Sequence, residues 1–175
     1  MDGDFIESNG GMSGGFDGMV NKSYALRLKE LEFGNMQFKD IPVTSNGMDL
    51  VLFGNKVLEK FLITLDYPSN KMVLKHLNSL YDKNIPSFGL NLTNKDGKKV
   101  VSGIWQNSSA ALSGLQIGDE IITIDSTNIK TMCLFELIPQ FIGKDKQVME
   151  IEYVHNKKRQ NTLLHKEILL PAIVK

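Results

Sequence analysis

The stretch Ser87-Phe88-Gly89-Leu90-Asn91-Leu92 is the part of this 175-residue chain that decides how the rest is interpreted. It places one glycine in a short turn that leads into alternating apolar and polar residues, a pattern typical of a strand with one buried face. Further along, residues 107–122 combine the small residues of a short helix with Gly114, Gly118-Asp119 and an apolar strand. Together the two stretches predict a groove beside the first strand.

Composition excludes several classes of partner. Lys+Arg and Asp+Glu both number 20, so the formal net charge is zero. We therefore expect no nucleic-acid partner and no anchor for anionic lipid. No apolar run reaches the roughly 18 residues of a membrane span. The acidic start, Met1-Asp2-Gly3-Asp4, lacks the apolar core of a signal peptide.

Side chains that could carry catalysis or bind metal are few. Cys133 is the single cysteine, lies in an apolar run and is expected to be buried and inert. The three histidines share no ligand spacing, so we expect no metal and no other cofactor. The sequence contains no nucleophile elbow and no phosphate-binding loop. No residue is therefore assigned a catalytic role.

The first part of the chain is predicted to be mainly β. Residues 1–20 are glycine-dense and form either a flexible leader or a β-loop without its partner strands. A Gly34-Asn35 turn predicts a hairpin over residues 23–43. An apolar strand at 50–54, a short helix at 56–61 capped by Asn55, and strands at 61–67 and 71–75 follow. A shift in composition near residue 82 predicts two domains, 1–81 and 82–175.

The second part is predicted to combine strands with two helices. A turn at Asp96-Gly97 joins strands 89–93 and 100–106, and Gly114 ends a helix at 108–113. The main helix spans 132–142, where Pro139 predicts a kink or an early end. Two final strands flank the basic tip Lys157-Lys158-Arg159. The fold class is therefore mainly β with short helices.

Residues 87 to about 170 resemble a PDZ domain. Ser87-Phe88-Gly89-Leu90 is similar to the family's carboxylate-binding loop, and 107–122 is similar to its Ser-Pro-Ala…Gly-Leu…Gly-Asp stretch. Ser109 stands where that family usually has proline. The resemblance implies a PDZ-like β-barrel or sandwich with two helices. Two strands after the long helix favour the circularly permuted bacterial arrangement.

This resemblance implies a site for peptides or protein C-termini. Successive backbone N–H groups at Phe88, Gly89 and Leu90 can converge on a carboxylate, and an extended peptide can add to the free edge of the next strand. Phe135 and Leu137 are expected in the core. Ordinary core packing is the alternative interpretation for Phe88, Leu90, Leu134 and Phe141. The predicted peptide-binding residues are Ser87, Phe88, Gly89, Leu90, Asn91, Leu92, Leu134, Ile138 and Phe141.

Residues 10–75 resemble the C-terminal part of a retropepsin-like aspartyl protease domain, chiefly through the run 52–67. Such domains precede PDZ domains in bacterial secreted proteases, so the resemblance places the parent in the cell envelope or outside the cell. The family's catalytic Asp lies in Asp-Thr/Ser-Gly, which this chain lacks. Asp66 is expected to be a structural residue at a strand end. Aspartic proteolysis needs two carboxylates that share a proton, so we expect the chain alone to be inactive.

Three functions therefore remain open. The first is a peptide-binding PDZ module of an aspartyl protease whose catalytic half is absent from this chain. The second is an active dimeric aspartic peptidase in the full-length parent. The third is a structural PDZ domain whose groove is occluded by the first segment or by the apolar tail 170–175. Unpaired strands in the first segment also predict a homodimer.

Overall fold

The structure is a computed structural model that describes residues 5–11, 14–15, 18–19, 22–34, 36–46, 52, 54–77, 84, 86–142 and 145–170. The chain divides into two compact units, one of Met1–Gly47 with Asn84–Lys175 and one of Met48–Lys83. Parts of the predicted strand at 50–54, the end of the main helix at Gly143 and most of the apolar tail lie outside the described residues.

The chain is mainly β, as predicted, with short helices. In chain order the elements are β1 (Phe5–Gly10), β2 (Gly14–Gly15), β3 (Gly18–Met19), β4 (Tyr24–Phe33), β5 (Met36–Ser45), α1 (Asn55–Leu58), β6 (Phe61–Asp66), β7 (Lys71–His76), β8 (Pro86–Ser87), β9 (Leu90–Lys95), β10 (Lys98–Trp105), α2 (Ser109–Leu112), β11 (Glu120–Ile124), β12 (Thr127–Asn128), α3 (Leu134–Ile142), β13 (Val148–His155), β14 (Lys158–His165) and β15 (Glu167–Ile168).

The first unit is organised by one large sheet in the order β14-β13-β11-β10-β1-β4-β5. Strand β9 also pairs with β10, and β12 with β11. The glycine-dense start of the chain contributes β1, which pairs antiparallel with both β4 and β10. Residues 5–10 are therefore neither a flexible leader nor a loop without partners, because the two strands that they need are supplied by β4 and by β10.

Strand β1 is fixed by hydrogen bonds and by a close backbone approach. The fully buried Ser8 donates its backbone N–H to the Ser23 carbonyl at 2.9 Å, and its Oγ accepts the Ser23 N–H at 2.8 Å. Gly10 has φ +73°, and a Cβ there would lie 2.2 Å from the Ser102 carbonyl oxygen. Only glycine lets β1 approach β10 this closely. Strands from before and after the predicted domain boundary near residue 82 therefore belong to the same sheet.

The core of the first unit follows the alternation of its strands. In β13, Met149, Ile151 and Tyr153 are buried and their neighbours are not. These side chains pack with Leu137 of α3 and Leu164 of β14 in one cluster. Strands β13 and β14 meet at a two-residue turn, Asn156-Lys157, in which both residues have positive φ. Such a turn sets the register of a tight hairpin, so the predicted hairpin is confirmed, but Lys158 and Arg159 of the predicted basic tip already belong to β14.

The second unit contains α1 and the β6–β7 hairpin, which pairs from Phe61↔His76 to Asp66↔Lys71. Helix α1 is shorter than predicted because Phe61 already begins β6. Asp66 accepts the backbone N–H of Ser69 at 3.1 Å in the connecting turn. This contact gives Asp66 the structural, strand-end role that was expected.

Two expectations around α3 were wrong. Cys133 is exposed, because it lies just before the helix, where its N–H donates to the Glu136 carboxylate at 2.6 Å in a capping contact. Phe135 is 81% exposed, whereas Leu137 is 2% exposed and belongs to the core. The helical repeat turns Phe135 away from the face that Leu137 shares with the core. The helix also continues through Pro139 to Ile142.

The turn after β11 predicts a modest dependence of stability on pH. Asp125 accepts the Glu150 N–H at 2.8 Å and pairs with Lys146. Burial by itself raises the pKa of Asp125, but the hydrogen bonds from Lys146 and Glu150 outweigh it, so the pKa is lowered. A depressed pKa gives stability that is present above the unfolded value of about 3.9 and is lost as the pH falls through the folded value.

We expect Asp125→Asn to lower the free energy of unfolding at neutral pH by about 0.5 kcal/mol, a small value because the carboxylate is 43% exposed. The difference from the wild type should shrink as the pH falls below about 4. Urea denaturation of both proteins at neutral and acidic pH measures it. A difference that does not change with pH would contradict this assignment.

Candidate functional site

The predicted carboxylate-binding loop lies between β8 and β9. Strand β8 is held by β15 through the pairs Ser87↔Glu167 and Pro86↔Ile168. The chain then turns at Gly89, which has φ +89°. A Cβ at Gly89 would lie 2.1 Å from both Cβ and Oγ of Ser108. The loop therefore requires glycine for its conformation and for its packing against the start of α2.

Ser108 cannot easily move away from Gly89, because its hydroxyl is used twice. It accepts the Ala111 N–H at 3.2 Å as the N-cap of α2 and donates to the Trp105 carbonyl at 2.7 Å. The side chain is fully buried. The loop, α2 and the end of β10 are thus packed as one rigid group.

Hydrogen bonds orient the backbone of the loop. The Gly89 carbonyl accepts the Trp105 N–H at 2.8 Å, and the Gly89 N–H donates to Ser87 Oγ at 3.0 Å. Backbone groups alternate in direction along an antiparallel strand. The N–H and C=O of Leu90 therefore point away from β10. A carboxylate at the loop would meet the Leu90 N–H and could replace the Ser87 hydroxyl as acceptor for Gly89.

The same alternation continues along β9. Val101, which faces Leu92, directs its N–H and C=O to Asp119 and Gly118, at 2.9 and 2.8 Å. The backbone groups of Leu92 therefore also point away from β10. In the part of the chain that the structure describes, no strand other than β10 pairs with β9. The outer edge of β9 thus offers main-chain donors and acceptors at alternate residues.

Helix α3 forms the wall opposite this edge, since it contacts both β8 and β9. Phe88, Leu90 and Leu92 are buried in the core cluster and form the apolar floor. On α3, Leu134 and Phe141 are partly buried against that cluster, and Ile138 is 43% exposed. The side chains of the floor thus pack in the core, which is the alternative interpretation given above for Phe88 and Leu90. Of the three α3 side chains predicted to line the groove, Ile138 is the most exposed.

Asn91 has a different position from the other predicted residues. Its side-chain amide donates to Ser102 Oγ at 3.0 Å and to the Gly11 carbonyl at 3.4 Å. These contacts tie β9 to the end of β1. The side chain of Asn91 therefore supports the edge strand instead of facing α3.

Lys166 lies beside the loop and was not singled out from the sequence. Its Nζ is 5.0 Å from the centroid of the Phe88 ring. Burial, followed by the positive charge of Lys146, lowers the pKa of Lys166, and Asp145 opposes this shift. Only the pairing of β15 with β8 brings Lys166 to the loop, so a linear motif could not have identified it. A cation here has the charge that suits a carboxylate ligand.

Ser109, which departs from the PDZ pattern, makes two hydrogen bonds to the end of the chain. Its N–H donates to the Glu167 carboxylate at 3.1 Å, and its Oγ accepts the His165 N–H at 2.9 Å. A proline at this position could make neither bond, since it lacks both the N–H and the hydroxyl. Serine thus joins α2 to the last strands of the chain.

Neither a metal centre nor a membrane span stands out in the described ranges. These residues include no group of three or more His, Cys, Asp or Glu side chains placed to hold a metal ion. No helix among them has the length and apolar character needed to cross a membrane.

Comparison with known proteins supports one part of the chain. No curated protein matches it significantly. The family model of the PDZ domain matches residues 82–149. The match contains the glycine loop, the open edge of β9 and the facing helix α3. On this sequence match and this geometry, residues 82–149 resemble a PDZ domain, and PDZ domains are generally peptide-binding modules.

Proposed function

We propose that this chain binds extended peptides, and in particular free protein C-termini, by strand addition at β9. The observation that carries the proposal is the open edge of β9 beside the turn at Gly89. The peptide would hydrogen-bond to the backbone of Leu90 and Leu92 and place its side chains against α3. Its carboxylate would bind at the loop near Lys166. Of the nine residues predicted from the sequence, Asn91 supports the edge strand, and the other eight are assigned to this site.

The spacing of the α3 side chains suggests which peptides bind best. Leu134 and Ile138 are about 6 Å apart along the helix axis, and Ile138 and Phe141 about 4.5 Å. Side chains on one face of an extended peptide repeat at about 6.8 Å. We therefore propose a preference for an apolar terminal residue near Ile138 and Phe141, with a second apolar residue two positions earlier near Leu134.

A peptide library distinguishes the proposed modes of binding. Fluorescence polarisation would compare peptides that have a free carboxylate with the same peptides amidated at the C-terminus. We expect saturable binding that weakens about tenfold or more on amidation, because a charge-assisted contact is lost. Equal binding of both forms would indicate recognition of internal segments. Absence of binding to every peptide would support an occluded, structural groove.

Ile138→Ser is expected to weaken peptide binding about tenfold, since it removes the most exposed of the three α3 side chains predicted to line the groove. Stability should change little, because Ile138 is already 43% exposed. Phe135→Ser is the matched control on the same helix, where the side chain is 81% exposed. Affinity measured for both variants tests the groove, and equal effects of the two substitutions would contradict it.

We also propose that residues 1–81 derive from the C-terminal part of a retropepsin-like aspartyl protease domain, and that 82–175 is a PDZ domain of the permuted bacterial type. The resemblance of residues 52–67 supports the first point, together with the succession of α1 and the β6–β7 hairpin. The parent would then be an aspartic peptidase of the cell envelope or the exterior. An upstream Asp-Thr/Ser-Gly, with pepstatin-sensitive cleavage by the longer chain, would test this.

A homodimer through the first segment is a further part of this proposal. The β6–β7 hairpin is a two-stranded sheet, and among the described residues neither strand pairs elsewhere. Leu62, Leu65, Met72 and Val73 on it are half exposed or more. Unpaired edges with apolar side chains favour association. Sedimentation equilibrium would detect the dimer, and a monomer at all concentrations would argue against it.

A further inference from the structure

A second pocket, which shares Ser87 with the proposed peptide site, lies between strands β1, β4 and β5 of the large sheet and the β8–β15 pair. Its walls are largely apolar, and none of the described residues that line it is charged. Among these residues, Thr44 and Ser87 carry the side-chain hydroxyls. The lining residues are Ile6, Ala25, Pro42, Val43, Thr44, Ser87, Trp105, Leu169 and Leu170.

Trp105 is one of the residues that line this pocket. The residue is 6% exposed, and no hydrogen bond of its indole N–H is found in the part of the chain that the structure describes. Buried indole N–H groups usually have a partner. Because the pocket offers no charge, a suitable ligand is neutral and apolar and brings one hydrogen-bond acceptor.

Two residues of the pocket wall also hold the carboxylate-binding loop. Ser87 Oγ accepts the Gly89 N–H at 3.0 Å, and the Trp105 N–H donates to the Gly89 carbonyl at 2.8 Å. The two bonds fix both polar groups of Gly89. A ligand that shifts Ser87 or Trp105 therefore changes the position of the loop.

We propose that this pocket binds a small, neutral, apolar molecule that carries a carbonyl group, and that its occupancy is coupled to peptide binding. The carbonyl accepts the Trp105 indole N–H, while the apolar body contacts the aliphatic walls. Binding of the ligand to the pocket does not depend on the proposed function. The coupling does, because it requires that the chain binds a peptide. Coupling between two sites is reciprocal, so a bound peptide also changes affinity for the pocket ligand.

Trp105 is the only tryptophan of the chain, so one indole resonance reports on the pocket. The full chain, labelled with ¹⁵N, would be titrated with cyclohexanone and separately with cyclohexane, which has the same ring but no acceptor. We expect a saturable downfield shift of the indole N–H with cyclohexanone and a smaller or absent shift with cyclohexane. Equal responses to both, or none to cyclohexanone, would overturn the proposal.

A substitution in the lining separates pocket binding from general effects of the solvent additive. Val43→Met places a longer side chain in the pocket and should abolish the shift, whereas Val73→Met on the exposed hairpin β6–β7 should leave it intact. A shift that survives Val43→Met would contradict the assignment. If cyclohexanone has no effect on the full chain, whereas deletion of residues 171–175 moves the indole resonance and lets cyclohexanone shift it further, the chain's own tail is the occupant and the proposal fails.

Coupling is measured by the affinity of a free-carboxylate peptide with and without saturating cyclohexanone. We expect a change of about fivefold. An unchanged affinity would overturn the coupling and leave the pocket in place. Should no peptide bind at all, the proposed function fails, while the indole titration still decides whether the pocket binds its ligand.

Discussion

Gly89→Ala is expected to destabilise the first unit by about 3 kcal/mol or more and to abolish peptide binding. The residue has φ +89°, which costs an L-residue about 1–2 kcal/mol. The added Cβ would lie 2.1 Å from Cβ and Oγ of Ser108, and relief of such overpacking costs a further 1–3 kcal/mol or so. Urea denaturation followed by circular dichroism measures the loss.

Two variants separate the contact with Ser108 from the backbone conformation. Gly97→Ala also stands at positive φ, +73°, but its Cβ would meet nothing within 4 Å. It should cost only about 1 kcal/mol. In the double variant with Ser108→Gly, the nearest remaining atom to the new Cβ would be the Cα of residue 108, at 3.6 Å, an ordinary contact distance. The double variant should therefore recover about 1–2 kcal/mol of the sum of the two single losses. Equal costs for Gly89→Ala and Gly97→Ala would refute the contact.

Arg27→Met is expected to lower the free energy of unfolding by about 3 kcal/mol, as for a buried ion pair that loses one partner. The guanidinium is 4% exposed and contacts the Asp40 carboxylate at 3.2 Å. It also donates to the Asn84 side chain and to the Leu170 carbonyl. Arg27 therefore joins the β4–β5 hairpin to the chain before β8 and after β15. Methionine keeps the aliphatic stem and leaves these acceptors without their donor.

Arg159→Met provides the matched control. Arg159 pairs with Glu152 at 2.7 Å, but its side chain is 69% exposed. Exposed pairs contribute about 0–1 kcal/mol, so the control should lose no more than that. Denaturant midpoints for both variants give the comparison. Similar losses for Arg27→Met and Arg159→Met would show that burial of Arg27 adds nothing.

Local pattern predicted the strands and helices of the second half well. The Asp96-Gly97 turn, the helix closed by Gly114 and the alternation in β13 each depend on neighbours close in sequence. The peptide-site residues could be proposed because the glycine turn and the edge strand are contiguous. The helix face of α3 was harder, since Phe135 and Leu137 are only two positions apart and yet lie on opposite faces, one exposed and one buried.

The features that the sequence did not predict depend mostly on pairing between strands that are far apart in the sequence. The glycine-dense start contains few apolar residues, so nothing local indicates that β1 inserts between β10 and β4. Cys133 was expected to be buried because its neighbours are apolar, yet a capping position at the start of α3 leaves it exposed. Lys166 and Trp105 gain their positions only from β15 pairing with β8 and β1 pairing with β10.

The last strands have a consequence for how this fold could be inherited. Residues 82–149 contain β9 and α3, but Ile151, Tyr153 and Leu164 of the shared core lie beyond residue 149. Ser109 is also bonded to His165 and Glu167 there. A gene rearrangement that moved only the matched segment would transfer β9 and α3 without part of the core that supports them. The heritable unit must therefore extend through β15.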